Sequence, residues 1–286
     1  MNELFNRCVT ATIVSESGTK VFQHDSSAGK FFNIEFESEF GSRNLSGKVK
    51  FWNITKSTVE ALREKTSPAQ ITLNAGYGKD LGLILSGDVT GLKPGGDGAD
   101  KFYEATATNT NMLFLIVNRT WEKMTVSAIV SDIAGLLGFI PDVKIEKDVM
   151  IPSFASKPNV IQTLRALAAI AVDTKNKPAK FSQEIRQGGK LQFYNDGMLT
   201  AETDVITLDG SSGLIGKPVL KSTNKTKKFW TAKSLLQHRI IHGAKIQINY
   251  SDMGTPSVIN GTVTGGKHRG GTYSEEFVTE IDVSEP

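Results

Sequence analysis

Phe31-Phe32-Asn33-Ile34-Glu35-Phe36-Glu37 and Lys48-Val49-Lys50-Phe51-Trp52-Asn53-Ile54 are the two stretches whose reading decides the fold. In the first, Phe32, Ile34 and Phe36 share one face, and Asn33, Glu35 and Glu37 take the other. The second repeats this period of two, the mark of a strand with one face in a core and one in water. Working outward, Val9, Ala11 and Ile13 alternate with Cys8, Thr10, Thr12 and Val14, which predicts another strand. Further strands are expected at 70–74, 82–92 and 101–108, the first two joined through Ala75-Gly76-Tyr77-Gly78. Gly95-Gly96-Asp97-Gly98 reads as a loop tip. One short helix interrupts the series: Ser57 with Glu60 forms a capping box, and Val59 and Leu62 precede a stop at Thr66-Ser67-Pro68. Short strands at this spacing argue for a small barrel or sandwich.

The period changes after residue 107. Val126, Ile129, Val130, Ile133, Ala134 and Leu137 follow a helical rhythm, with Thr125 as N-cap and Gly138 at the position just past the C-terminus. A second helix is expected from Pro158, with Ser156 as its cap and Ile161, Leu164, Leu167, Ala168 and Ala171 on one stripe. Gln187-Gly188-Gly189, between 181–185 and 191–194, signals a hairpin. After residue 198 the pattern returns to alternation in Lys245-Ile246-Gln247-Ile248-Asn249-Tyr250, in 262–264 and in Phe277-Val278-Thr279-Glu280-Ile281-Asp282-Val283. Gly261, Gly265, Gly266, Gly270 and Gly271 are read as the turns between these strands. Six lysines and no acid lie between Lys217 and Lys233, a pattern expected of a solvated linker or loop. The expected fold is therefore mainly β with an α+β insertion. A β-barrel at 1–107 and another at 199–286 flank a helix-containing α/β unit at 108–198.

Composition narrows the function. A net charge of +3 over 286 residues is too small a basic excess for a dedicated nucleic-acid binder. Cys8 is the single cysteine, so neither an internal disulfide nor a multi-cysteine metal site can form. Neither a signal-peptide h-region nor a membrane-spanning apolar run is read in the sequence, and folding in a cytoplasm is the expectation.

No residue is assigned a catalytic, cofactor-binding or metal role. His238 and His242 have the i, i+4 spacing of a metal pair, but the intervening residues lack the Glu of a zinc-protease motif and no third ligand is evident. Asp97 and Asp100 lack the ordered oxygen ligands of a calcium loop and read as turn residues. The Gly-Gly pairs at 95, 188, 265 and 270 lack a phosphate loop's ending and read as hairpin turns. Glu104, Glu122, Glu146 and Glu202 show no pairing suited to glycosidic chemistry. Trp52, Trp121 and Trp230 read as core or interface residues rather than a sugar platform. Phe229 and Trp230 beside the lysine run read as part of a solvated face rather than a stacking platform for nucleic acid.

The segment from Asn53-Ile54-Thr55 through Ile71-Thr72-Leu73-Asn74-Ala75-Gly76-Tyr77 to Ile84-Leu85-Ser86-Gly87-Asp88-Val89 resembles the N-terminal barrel of phage tail baseplate hub proteins. The ending is similar to their C-terminal barrel: Gly243-Ala244-Lys245-Ile246-Gln247-Ile248, Gly261-Thr262-Val263, His268-Arg269-Gly270-Gly271-Thr272-Tyr273 and Phe277-Val278-Thr279-Glu280-Ile281. In that family a His-x-Gly turn joins the last two strands. The resemblance implies a non-enzymatic structural protein of the virion tail baseplate, assembled in a bacterial host. It implies a homotrimer whose two barrels per chain alternate in a pseudo-sixfold ring, between a hexameric tail tube and a trimeric central spike. DNA would pass through the lumen without specific binding, and neither cofactor nor membrane is involved. The competing readings are a tail-tip peptidoglycan hydrolase or esterase, and a barrel that binds carbohydrate or single-stranded nucleic acid.

Overall fold

The computed structural model describes residues 6–41, 46–64, 68–97, 100–108, 116–183, 190–195, 205–223 and 227–285. The first segment contains β1 (Arg7–Ser15), β2 (Gly18–Asp25), β3 (Lys30–Phe31), β4 (Ile34–Gly41) and β5 (Ser46–Trp52). They are followed by α1 (Lys56–Arg63), β6 (Gln70–Tyr77), β7 (Asp80–Gly95) and β8 (Phe102–Thr108). Antiparallel pairing runs in the order β4, β5, β8, β7, β6, β1, β2, β3. Because the chain passes from β3 almost directly into β4, the first and last strands of that order are consecutive and the sheet closes on itself. The Phe32 amide, donating to the Gln23 carbonyl at 3.2 Å, extends the β2 pairing into this link. Alternation works as expected: Val9, Ala11, Ile13, Ile34, Phe36, Val49 and Phe51 all point into one buried cluster. Burying a side chain the size of Phe51 contributes on the order of 2–3 kcal/mol.

The last segment contains β14 (Ile206–Leu208), β15 (Leu214–Thr223), β16 (Lys228–Leu235), β17 (Lys245–Asp252), β18 (Thr255–Gly271) and β19 (Phe277–Glu285). Its order is β14, β17, β18, β19, β16, β15. The tight turn 209–213 brings the two ends of that order together. Asp209 accepts from the amides of Ser211 and Ser212, and the Leu214 amide returns to the Asp209 carbonyl at 2.8 Å. This second barrel therefore closes through a corner, and among the described residues β15 has a ladder only to β16.

Two compact units divide the chain: residues 1–109 with 201–286, and residues 110–200. The two β segments fall in one unit because β4 pairs with β18 from Glu35 to Gly41, so all their strands form one fourteen-stranded sheet. The second unit contains β9 (Thr120–Thr125), α2 (Val126–Leu136), β10 (Ile140–Lys144), β11 (Met150–Ala155), α3 (Val160–Ile170), β12 (Lys180–Gln183) and β13 (Lys190–Tyr194). The helices bury Val126, Ile129, Ile133, Val160, Leu164 and Leu167 with Leu191 and Phe193 of β13. As expected, Thr125 caps α2 and Gly138 follows it in the left-handed region, at φ 73°. The expected hairpin is present as β12 paired with β13, while its Gln187-Gly188-Gly189 turn lies outside the described residues.

Several expectations fail for local reasons. The lysine run is not a linker but the hairpin β15–β16, because carboxylates on neighbouring strands neutralise it. Gly261, Gly265, Gly266, Gly270 and Gly271 are not turns either, since all lie inside β18. That strand runs between β19 and β4, and a Cβ on Gly266 would meet the Glu280 carbonyl at 2.2 Å. The turn before β19 is 272–276, so His268-Arg269-Gly270 is strand and not a His-x-Gly corner. The cap of α1 is Thr55, not Ser57, and that of α3 is Asn159, not Ser156. In both helices the true cap holds extended φ/ψ and its side chain accepts an amide from the first turn. β2 had no expectation at all.

Candidate assembly surface

The two barrels are joined by more than the β4–β18 ladder. Thr272 and Ile34 exchange hydrogen bonds, the Thr272 amide to the Ile34 carbonyl at 2.9 Å and the Ile34 amide to Thr272 Oγ1 at 3.2 Å. Tyr77 Oη donates to the Phe277 carbonyl at 3.1 Å, and burial pushes the Tyr77 hydroxyl pKa up. Phe277 places its ring edge-on to both Tyr77 and Phe36, 5.2 and 5.8 Å between centroids, so a side chain of the second barrel completes the core of the first. Arg7 lies 5.2 Å from the centre of that ring and donates to the carbonyls of Gly271, Ser274 and Glu275. At another point Asp80 Oδ1 accepts from His238 Nε2 at 2.9 Å and Arg239 at 2.7 Å.

His268 sits directly beneath this seam. It is fully buried, bonds Thr279 Oγ1 at 2.9 Å through Nδ1, and stacks against Phe40 at 4.7 Å. Desolvation above all, then the charge of His238, lowers its pKa to about 3, so it is a neutral core group.

Above the seam, the outer face of the sheet carries charge in rows, two of which cross from one barrel to the other. One row pairs Lys93, Glu104, Lys50 and Glu35 across β7, β8, β5 and β4. A second sets Lys48, Glu37 and Arg269 side by side, and a third Glu39, Lys267, Glu280 and Lys233. Sign alternates along each row, as cross-strand pairing favours. Lys50 reaches Glu35 at 2.8 Å, Arg269 reaches Glu280 at 2.6 Å and Glu276 at 2.9 Å, and Lys233 reaches Glu276 at 3.0 Å. The Lys233 hydrogen bond, helped by Arg269, holds the Glu276 carboxyl below its usual range. Two shallow grooves of about 440 and 590 Å³ flank the β4–β18 line, lined by these same side chains. Pairs this exposed add little stability each. What they make is a surface on which positive and negative side chains alternate.

The residues weighed for chemistry do other work. His242 Nδ1 lies 3.0 Å from the Thr264 carbonyl, while His238 serves Asp80, so the histidines do not converge. Among the described residues no group of three or more His, Cys, Asp or Glu is placed to hold a metal ion. The Asp100 amide donates to the Asp97 carbonyl at 3.1 Å. Glu104 pairs with Lys48, Glu146 accepts the Thr174 amide, Glu122 is exposed, and Glu202 lies outside the described residues. Trp121 is buried with its indole on Asp132, Trp52 packs on Phe102, and Trp230 donates to Glu285. Among the described residues, no helix is long and apolar enough to cross a membrane.

No protein-family model matches the chain, and no curated protein matches it in sequence. Its fold does have counterparts: mainly β with a small helical insertion, it matches the fold of phage tail hub-like proteins. The tail protein from Neisseria meningitidis MC58 aligns at a TM-score of 0.62, covering 98% of this chain and 97% of that chain at 10% identity. The 43 kDa tail protein of prophage MuSo2 from Shewanella oneidensis gives 0.59, covering 97% and 98% at 9% identity. A component of the type VI secretion system of E. coli, itself structurally similar to the T4 bacteriophage tail proteins gp27 and gp5, gives 0.59. That alignment covers 89% of this chain and 73% of that chain at 14% identity. At such identities the likeness is one of fold.

Proposed function

We propose that this chain is a structural, non-enzymatic hub of a phage tail baseplate, resident in the virion. It forms a homotrimeric ring of pseudo-sixfold outline. The observation that carries this reading is the joining of two small barrels, edge to edge, within one chain. Three such chains offer six barrel positions, which reconciles a hexameric tail tube on one side with a trimeric spike on the other. The hydrogen-bonded seam supports the reading because a symmetry adaptor has to keep its two barrels in fixed register. DNA passes through the lumen without specific binding. The pairing of Lys217, Lys221 and Lys228 with Asp252, Asp282 and Glu285 fits that role, since it offsets positive charge of the kind that grips phosphates. Light scattering of the purified protein, alone and with tube and spike partners, tests the proposal. A trimer is expected; a strict monomer even with both partners present would overturn it.

A further inference from the structure

Tyr273, on the turn before β19, reaches from the second barrel to the strand that closes the first. Its hydroxyl donates to the Phe31 carbonyl at 3.2 Å. Its ring stands edge-on to the imidazole of His24, 5.1 Å between centroids. Phe31 covers the same imidazole from β3, 6.2 Å away and again edge-on. The two covering side chains are themselves largely in water, Tyr273 60% and Phe31 62% exposed, while His24 beneath them is 7% exposed. The strand that carries Phe31 is lightly held. Its ladder to β2 has two pairs, Phe31 opposite His24 and Lys30 opposite Asp25, extended by the Phe32 amide on the Gln23 carbonyl. Segments with so few buried contacts open locally well before the fold as a whole does.

Nδ1 of His24 is buried and has no hydrogen-bond partner among the described residues. A neutral imidazole tolerates this, because it leaves only a bare lone pair. A protonated one would bury a charged N–H with nothing to accept it, which costs far more. The charged groups on the surrounding elements do not relieve that cost. From β1, Arg7 adds a like charge. On β2, the Asp25 carboxylate attracts a proton to His24, but its Oδ1 already accepts from Ser27 and the Ala28 amide. Lys30 on β3 is another cation, bound to Gln23. On the turn, Arg7 holds the Ser274 and Glu275 carbonyls, and Glu276 is engaged by Lys233 and Arg269. Lifting Tyr273 and Phe31 away exposes Nδ1 to water, so the opened form takes a proton more readily than the closed one. In keeping with this, desolvation outweighs Asp25 and the Phe32 backbone and, with Arg7, holds the His24 pKa below its usual 6.5. We infer that Tyr273 and Phe31 form an acid-sensitive latch over His24, which loosens as the imidazole takes up a proton and frees β3 both from β2 and from the turn of the second barrel.

Because the opened imidazole titrates near 6.5 and the closed one lower, loosening begins as the pH falls through about 6.5 and levels off below the closed form's pKa. Amide hydrogen exchange of the full chain, with rates divided by the intrinsic rate at each pH, tests the latch. Residues 26–33 and 272–276 are expected to lose protection between pH 7.5 and pH 5. His24→Phe, which cannot take a proton, is expected to keep at pH 5 the protection it has at pH 7.5. His268→Gln is expected to leave the loss in both segments unchanged. Tyr273→Phe, which loses the bond to the Phe31 carbonyl, is expected to exchange faster in both segments already at pH 7.5. Equal protection at the two pH values in the wild type would overturn the inference, as would an undiminished loss in His24→Phe. So would a loss that disappears in His268→Gln, since it would then belong to general unfolding. Wild-type protection in Tyr273→Phe at pH 7.5 would remove Tyr273 as the latch.

Discussion

Gly82 lies so close under the imidazole of His238 that a Cβ there would fall 1.9 Å from Nδ1. Gly82→Ala is therefore expected to destabilise the protein by about 1–3 kcal/mol, the usual cost of overpacking. Adding His238→Ala should recover part of the loss, and the coupling would appear in a double-mutant cycle by urea unfolding. His268 makes a second prediction. Its pKa is about 3 in the fold and near 6.5 when exposed, so between those values the unfolded chain binds a proton that the native chain refuses. Stability is thus complete above pH 6.5 and falls with acidification at roughly 1.4 kcal/mol per pH unit for this one group. His24, whose pKa burial also lowers, adds to the trend with the same sign. His268→Gln should flatten the slope between pH 6.5 and 5 in chemical denaturation, and an unchanged slope would remove His268 as its source. Neither residue was legible in the sequence. A histidine two residues before a glycine reads as a turn, and only the strands on both sides of β18 show why it is core.

At the scale of elements, the two strands read from Phe32, Ile34 and Phe36 and from Val49 and Phe51 are present because alternation is a strong signal when one face is fully buried. Helix α2 was legible for the same reason, with both its cap and its closing glycine. Caps that depend on backbone geometry were not. Ser57 with Glu60 has the letters of a capping box, but Thr55 holds the extended conformation and accepts the Thr58 amide. Thr55→Ala is accordingly expected to cost about 1 kcal/mol by thermal or chemical unfolding, and Ser57→Ala far less; equal costs would refute the assignment. The hairpin β15–β16 escaped notice because its lysines are neutralised by Asp252, Asp282, Glu276, Glu280 and Glu285, all distant in sequence. These exposed pairs are screened by salt. Contacts made through the charged rows should therefore weaken as ionic strength rises, while the seam, built from Phe277, Tyr77 and buried hydrogen bonds, should not.

For the whole molecule, the segment order β, α/β, β could be read from changes of hydrophobic period. The junction between the β segments could not, because β4 and β18 are more than two hundred residues apart and no local pattern announces their pairing. That junction is what the proposed function rests on: it joins two barrels by a hydrogen-bonded ladder and spreads one charged face over both. If this pair is the repeating unit of a tail ring, averaged images of the purified assembly by negative-stain microscopy test the account most directly. The expected end-on view has six lobes of near-sixfold outline and strict threefold symmetry around a central hole. Compact single particles without a hole, even in the presence of tube and spike partners, would contradict it.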